Sequence, residues 1–198
     1  MYSTPLRLAR ASAIALLIGL SPIHALAAKE ATAVEASIAT LKPGEFAWDA
    51  SDAKAGPVEV VISLDAQKAY VYRGGTLIGA STVSSGKKGH ESPIGTFTIL
   101  EKKRHHRSNK YNDAPMPFMQ RLNWYGFALH GGDLPGYPAS RGCIRLPMKF
   151  AEKLFEVTSV GAVVFLMDEE PKSAMAALAT ARAARGDFPG AAEASRGS

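Results

Sequence analysis

Residues 58–84 (VEVVISLDAQKAYVYRGGTLIGASTVS) restrict this chain more than any other stretch. Three runs rich in β-branched and aromatic residues, 58–64, 68–73 and 76–84, are broken at Asp65-Ala66-Gln67 and at Gly74-Gly75. A Gly-Gly pair between two such runs predicts a tight hairpin, because glycine accepts the positive φ that a two-residue turn demands. The three runs therefore form a meander, and the chain around them has to complete a β-rich domain. Further strands are expected at 96–100, 119–122, 126–130 and 162–167. One helix is expected over 147–157 (PMKFAEKLFEV), with Phe150, Leu154 and Phe155 or Val157 on its apolar side and Pro147 in its first turn. The fold class is mainly β, with one helix following directly on the cysteine region.

The flanks read differently. Residues 1–27 combine Arg7 and Arg10 with the short apolar run 11–20 (ASAIALLIGL) and the small-x-small pattern Ala25-Leu26-Ala27. That run is too short to span a bilayer, so a cleaved secretory signal is expected rather than a transmembrane anchor. Its loss lowers the formal charge from +5 to +3, since it carries two arginines and no acid. So small a charge suits an anionic envelope polymer and does not indicate nucleic acid. Residues 28–56 are expected to be an N-terminal adapter segment with a short helix near 32–41. Residues 57–168 are the expected folded domain. Residues 169–198 are Ala- and Arg-rich, expected as one exposed helix over about 172–185 or as a disordered tail.

The chain contains a single cysteine, Cys143, within residues 130–146 (HGGDLPGYPASRGCIRL). It cannot form an internal disulfide, and in an oxidising compartment an odd cysteine is either buried or reactive. Arg141 and Arg145 lie within two residues, and the expected helix starts four positions later. Both features would favour the thiolate. Gly142 allows close backbone approach, so the amides of Gly142 and Cys143 are candidates to face a developing oxyanion. His130 ends a strand before Gly131-Gly132, a rigid position for a general base. A third group would hold its tautomer, either the Asp133 side chain or a backbone carbonyl. From these residues alone Cys143 stays open between a small buried residue and a nucleophile.

The same residues carry a resemblance. Ser140-Arg141-Gly142-Cys143-Ile144-Arg145-Leu146 with His130-Gly131 upstream resembles the active-site signature of the L,D-transpeptidase (YkuD-like) catalytic domain. Ser84-Ser85-Gly86 and Glu91-Ser92-Pro93-Ile94-Gly95-Thr96-Phe97 resemble two further family segments, so the likeness runs over about 57–168. It implies a β-sandwich or partly closed barrel that acts on bacterial peptidoglycan stem peptides. It also implies an exported enzyme whose cysteine forms a thioester at the third residue of a stem tetrapeptide and releases D-alanine. An amine, in a 3–3 crosslink or on an acceptor protein, then resolves the thioester. On this resemblance Cys143 is the nucleophile, His130 the general base and acid, and the Gly131 carbonyl the group that orients His130. Gly142, Arg141, Arg145 and Ser140 support the site, and carbapenems are the implied inhibitor class. No cofactor or metal is implied. The family commonly has histidine where Arg141 stands, and an arginine cannot serve as a base at neutral pH.

The alternatives are an L,D-carboxypeptidase, in which water resolves the same thioester, and a non-catalytic wall-binding module. A zinc amidase would need a third ligand beside its histidines. Tyr111, Met116, Phe118 and Met119 are candidate cleft residues for the donor stem. Trp124 and Tyr125 are expected as packing at a turn, and His105-His106 as solvated loop.

Overall fold

The computed structural model describes residues 33–186; the expected signal segment lies outside them. Ten strands form two sheets. The first has six strands: β1 (Phe46–Trp48), β2 (Val58–Ser63), β3 (Lys68–Arg73), β4 (Thr76–Thr82), β5 (Gly95–Thr98) and β10 (Val163–Met167), in the order β1-β4-β3-β2-β10-β5. The second has four, in sequence order: β6 (Glu101–Lys103), β7 (Met119–Arg121), β8 (Ala128–Gly131) and β9 (Ile144–Leu146). Among the described residues three α-helices accompany the sheets: α1 (Ala33–Ser37), α2 (Met148–Val157) and α3 (Ala174–Ala184). Neither sheet closes into a barrel.

The meander is present as expected, with β2–β3 and β3–β4 antiparallel across Asp65-Ala66-Gln67 and Gly74-Gly75. The expected strand at 96–100 is divided between the sheets. Ile99 N–H donates to Ala162 O in the first sheet's connection, and Leu100 N–H donates to Arg121 O in the second. A short strand, β6, therefore begins the segment between the expected strands at 96–100 and 119–122.

Side-chain alternation sets the layers. In β2, Val60 and Ile62 point to one side, where they meet Leu129, Ile144 and Leu146 of the second sheet and Phe150 and Leu154 of α2. The opposite side of the first sheet presents Val61, Tyr70, Tyr72 and Phe165. Apolar surface of that size requires a cover, and α3 supplies it through Ala174, Ala177, Leu178 and Ala181. The expected exposed tail helix is thus a packed one. Alanines bring its backbone close to the sheet, Tyr72 OH donates to Ala174 O, and Ser173 Oγ caps Ala176 N–H at 3.1 Å. Arg182 and Arg185 reach Glu59 on β2 at 2.5 and 3.4 Å, so the buried carboxylate is paired.

Residues 33–48 also join this layer system. Val34 of α1 is buried against the α3 face, and β1 extends the first sheet beside β4. The Phe46 and Trp48 rings each stand 5.6 Å from the Phe150 ring of α2. Helix α2 is held at its far end by Lys102, whose ammonium donates to Phe155 O and Thr158 O at 2.6 Å each. These are the orphan carbonyls of a helix C-terminus, and a cation there also suits the helix dipole.

Candidate active site

The second sheet places the chemistry. Strands β8 and β9 are parallel, with Leu129 opposite Ile144, His130 opposite Arg145 and Gly131 opposite Leu146. Leu129, Ile144 and Leu146 face the main core. Because strand side chains alternate, Ala128, His130, Cys143 and Arg145 fall on the other face. Extending the register by one pair sets Cys143 beside Ala128, which leaves His130 diagonally across from it. A parallel pair needs a long return connection, and residues 132–143 supply one.

The segments carrying the resemblance upstream prove to be the frame of this connection. Ser84 exchanges backbone hydrogen bonds with Arg145 at 3.0 Å in both directions, and Ser85 O accepts from Ala139 and Ser140 N–H, each at 3.0 Å. Gly86 N–H donates to Ser92 Oγ at 2.9 Å, and Ser92 Oγ–H donates to Gly142 O at 2.6 Å. A Cβ on Gly86 would lie 2.0 Å from His90 O, so only glycine fits there. Gly142 has φ 114°, again a glycine conformation. Ser140, almost fully buried, donates through Oγ to Cys143 O at 2.5 Å and accepts from Gly142 N–H at 3.0 Å. The Gly142 amide, expected to face an oxyanion, is therefore turned into its own loop.

His130 is buried, and its Nδ1 lies 2.8 Å from Gly131 O. A carbonyl only accepts, so Nδ1 carries the proton and Nε2 of the neutral ring is the free base. Asp133, the other candidate for this role, lines the cavity but is not the partner of Nδ1. Burial holds the His130 imidazolium below its ordinary 6.5, against the Gly131 bond, which raises it, and with Arg145 adding to the fall.

Burial also pushes the Cys143 thiol above its ordinary 9.0; the Ala128 backbone bond and the charges of Arg145, Arg121 and Lys110 oppose that without cancelling it. This corrects the expectation of a depressed thiol. Helix α2 starts only after β9 has intervened, and Arg141 turns its guanidinium onto the Tyr111 ring, 4.9 Å from the centroid. The resting pair is a neutral thiol and a neutral imidazole, the thiol donating to Gly126 O at 3.4 Å.

A cavity of about 730 Å³ opens over this face. Met116, Met119 and Ala128 form its apolar floor next to Cys143. Of the expected residues, His130, Gly131, Ser140, Arg141, Cys143 and Arg145 line it, as do Tyr111, Met116 and Met119. Phe118 does not. Its ring packs against Phe155, 6.0 Å between centroids, with Arg104 above it, because the chain turns there at φ 54°.

Sequence reasoning missed Arg121, His106 and Lys110, all on the cavity wall. Arg121 was within reach of the alternation rule, since it sits two residues after Met119 on the same strand face. His106 is half-buried rather than solvated, because Met116 N–H anchors its backbone carbonyl at 2.8 Å. Five cations (Lys87, Lys110, Arg121, Arg141, Arg145) and one carboxylate, Asp133, line the cavity. Among the described residues no group of three or more His, Cys, Asp or Glu is arranged to hold a metal ion. None of their helices is long and apolar enough to cross a membrane.

The family model of the L,D-transpeptidase catalytic domain (YkuD) matches residues 57–166. An L,D-transpeptidase structure from Stackebrandtia nassauensis is 25% identical with a TM-score of 0.54, over 62% of this chain and 60% of that one. One from Mycobacterium smegmatis is 25% identical with a TM-score of 0.51, over 56% and 58%. An L,D-transpeptidase solved in complex with imipenem shares the fold at 23% identity and a TM-score of 0.53, over 56% and 59%. The matched region thus spans about three fifths of each of these structures. No curated protein matches this chain.

Proposed function

The chain belongs to the L,D-transpeptidase (YkuD) catalytic-domain family, and from that premise we infer an exported cysteine acyltransferase that joins peptidoglycan stem peptides or attaches a protein to them. The observation that carries this reading is the cationic cavity with Cys143 and His130 on one face of the second sheet. Stem peptides carry carboxylates, and five cations against one acid favour an anionic donor.

In the proposed reaction the Cys143 thiol rotates from Gly126 O toward His130 and attacks the carbonyl of the third stem residue. The Sγ–C bond forms as the thiol proton passes to Nε2. The C–N bond to the terminal D-alanine then breaks, His130 protonates the departing amine, and a thioester remains. An acceptor amine attacks it, gives its proton to Nε2, and the sulfur leaves to be reprotonated. The Gly131 carbonyl steadies the imidazolium in both steps. The Cys143 amide is the proposed oxyanion donor, the Gly142 amide being engaged with Ser140.

Incubation of the mature protein with a disaccharide-tetrapeptide tests the outcome. Crosslinked dimers with release of D-alanine are expected. Tripeptide alone would replace the transferase by an L,D-carboxypeptidase, and unchanged substrate would remove both.

The resting protonation states set the pH dependence. Imidazolium cannot accept a proton, so acylation is lost as pH falls through the native pKa of His130. Because burial lowers that pKa, the acid limb of the imipenem acylation rate is expected to have its midpoint below 6.5. With the thiol held above 9.0, no second rise is expected between pH 7 and 9. A midpoint above 6.5, read by stopped-flow or quenched mass spectrometry, would show that burial does not lower the His130 pKa in solution.

A further inference from the structure

Trp124 and Tyr125 do not pack as the sequence suggested. They are 72% and 85% exposed, and both stand on the rim of the catalytic cavity. The turn beneath them is rigid: Asn123 Oδ1 accepts from Tyr125 and Phe127 N–H at 3.0 Å each, and Lys110 Nζ donates to Tyr125 O at 2.5 Å. The Arg121 guanidinium lies 5.7 Å from the Trp124 ring and is itself fixed on Glu101 at 2.7 Å. Aromatic surface held outward by that many bonds contributes little to folding and is free to meet a ligand at the cavity mouth.

We propose that Trp124, with Tyr125 beside it, is a saccharide subsite that stacks the amino sugar to which the donor stem peptide is attached. This rests on the acyltransferase reading and extends it from the peptide to the glycan. Geometry supports the assignment. Gly126 O is 3.4 Å from the Cys143 sulfur, and Trp124 stands only two residues before it. A donor acylated at its third residue has three residues between thiol and sugar, on the order of 10 Å of extended chain. The sugar of a bound donor must therefore lie at the cavity mouth, within reach of this rim. An indole offers a flat apolar face to the C–H side of a pyranose, while Ser108 and Asn109 on the same cavity wall offer polar groups to its hydroxyls.

The test is binding rather than turnover. Full-length mature protein carrying Cys143→Ala is titrated calorimetrically with a disaccharide-tetrapeptide and with the free tetrapeptide. The disaccharide form is expected to bind about tenfold more tightly, the effect of one well-placed aromatic contact. Adding Trp124→Ala is expected to bring the ratio of the two affinities close to one, and Trp124→Phe to restore most of it. Equal binding of the two ligands before Trp124 is changed, or a ratio that survives Trp124→Ala, would overturn the subsite. The second result would also be seen if the rim served a protein partner or a lipid surface. Failure of the catalytic reading is read separately, as absence of any acyl adduct on the wild-type protein while the affinity ratio persists.

Discussion

Cys143→Ala protein incubated with imipenem is expected to keep its unmodified mass, while the wild type gains one inhibitor mass and loses it on thioester hydrolysis. Loss of donor acylation should be at least about 10⁴-fold, as for removal of a nucleophile elsewhere. Cys143 is the only thiol in the chain. Its sulfur lies at the cavity floor, and its loop is fastened by Ser92 on Gly142 O and by Ser140 on its own carbonyl. Neither bond uses the thiol, so alanine leaves the frame intact and folding is not expected to change. Serine is the sharper variant. Its hydroxyl keeps the hydrogen-bonding capacity but is a far weaker nucleophile beside a neutral imidazole, so Cys143→Ser should also fail to acylate. An adduct on either variant would move the chemistry to another residue and end the mechanism proposed above.

Phe150→Ala is expected to lower the unfolding free energy by about 3–5 kcal/mol, the usual cost of truncating a buried phenylalanine. In a chain of this size that corresponds to a fall of about 6–20 °C in Tm. Phe150 is fully buried, and its ring is the meeting point of α2, the core of the two sheets, and the edge strand β1 through Phe46 and Trp48. Removing it opens a cavity that backbone on three sides cannot collapse into. Urea unfolding checks the size of the effect, with Lys149→Ala, whose side chain is 81% exposed, as the neighbouring control. A loss below about 1 kcal/mol would mean that Phe150 is not enclosed in solution between α2, the sheets and β1.

The strands of the meander and helix α2 were legible because each is specified by its own period and its own turn. Gly74-Gly75, the alternation of residues 68–73, and the spacing of Phe150 and Leu154 are local signals that the tertiary structure had no need to override. His130 at a strand end and the exceptional status of Cys143 were equally local. Phe118 was misassigned because a positive φ turns its ring toward Phe155, and residue order does not announce that turn. Trp124 and Tyr125 were misread for the complementary reason, since nothing in a turn sequence says whether its aromatics face a core or a cleft.

The amino-acid sequence by itself determined a mainly β domain, a strand-borne histidine, a lone cysteine on a glycine-containing loop, and a helix after it. Those follow from backbone preference and side-chain period, which act over a few residues. Only the tertiary structure decided which faces these elements share. The parallel pairing of β8 with β9 put Cys143 and His130 on one side. The apolar second face of the larger sheet drew α3 onto it. Burial set both ionisations, raising the thiol and lowering the imidazole although three cations pull the thiol the other way. Desolvation depends on everything that surrounds a group, so charge spacing along the chain could not have foretold its sign.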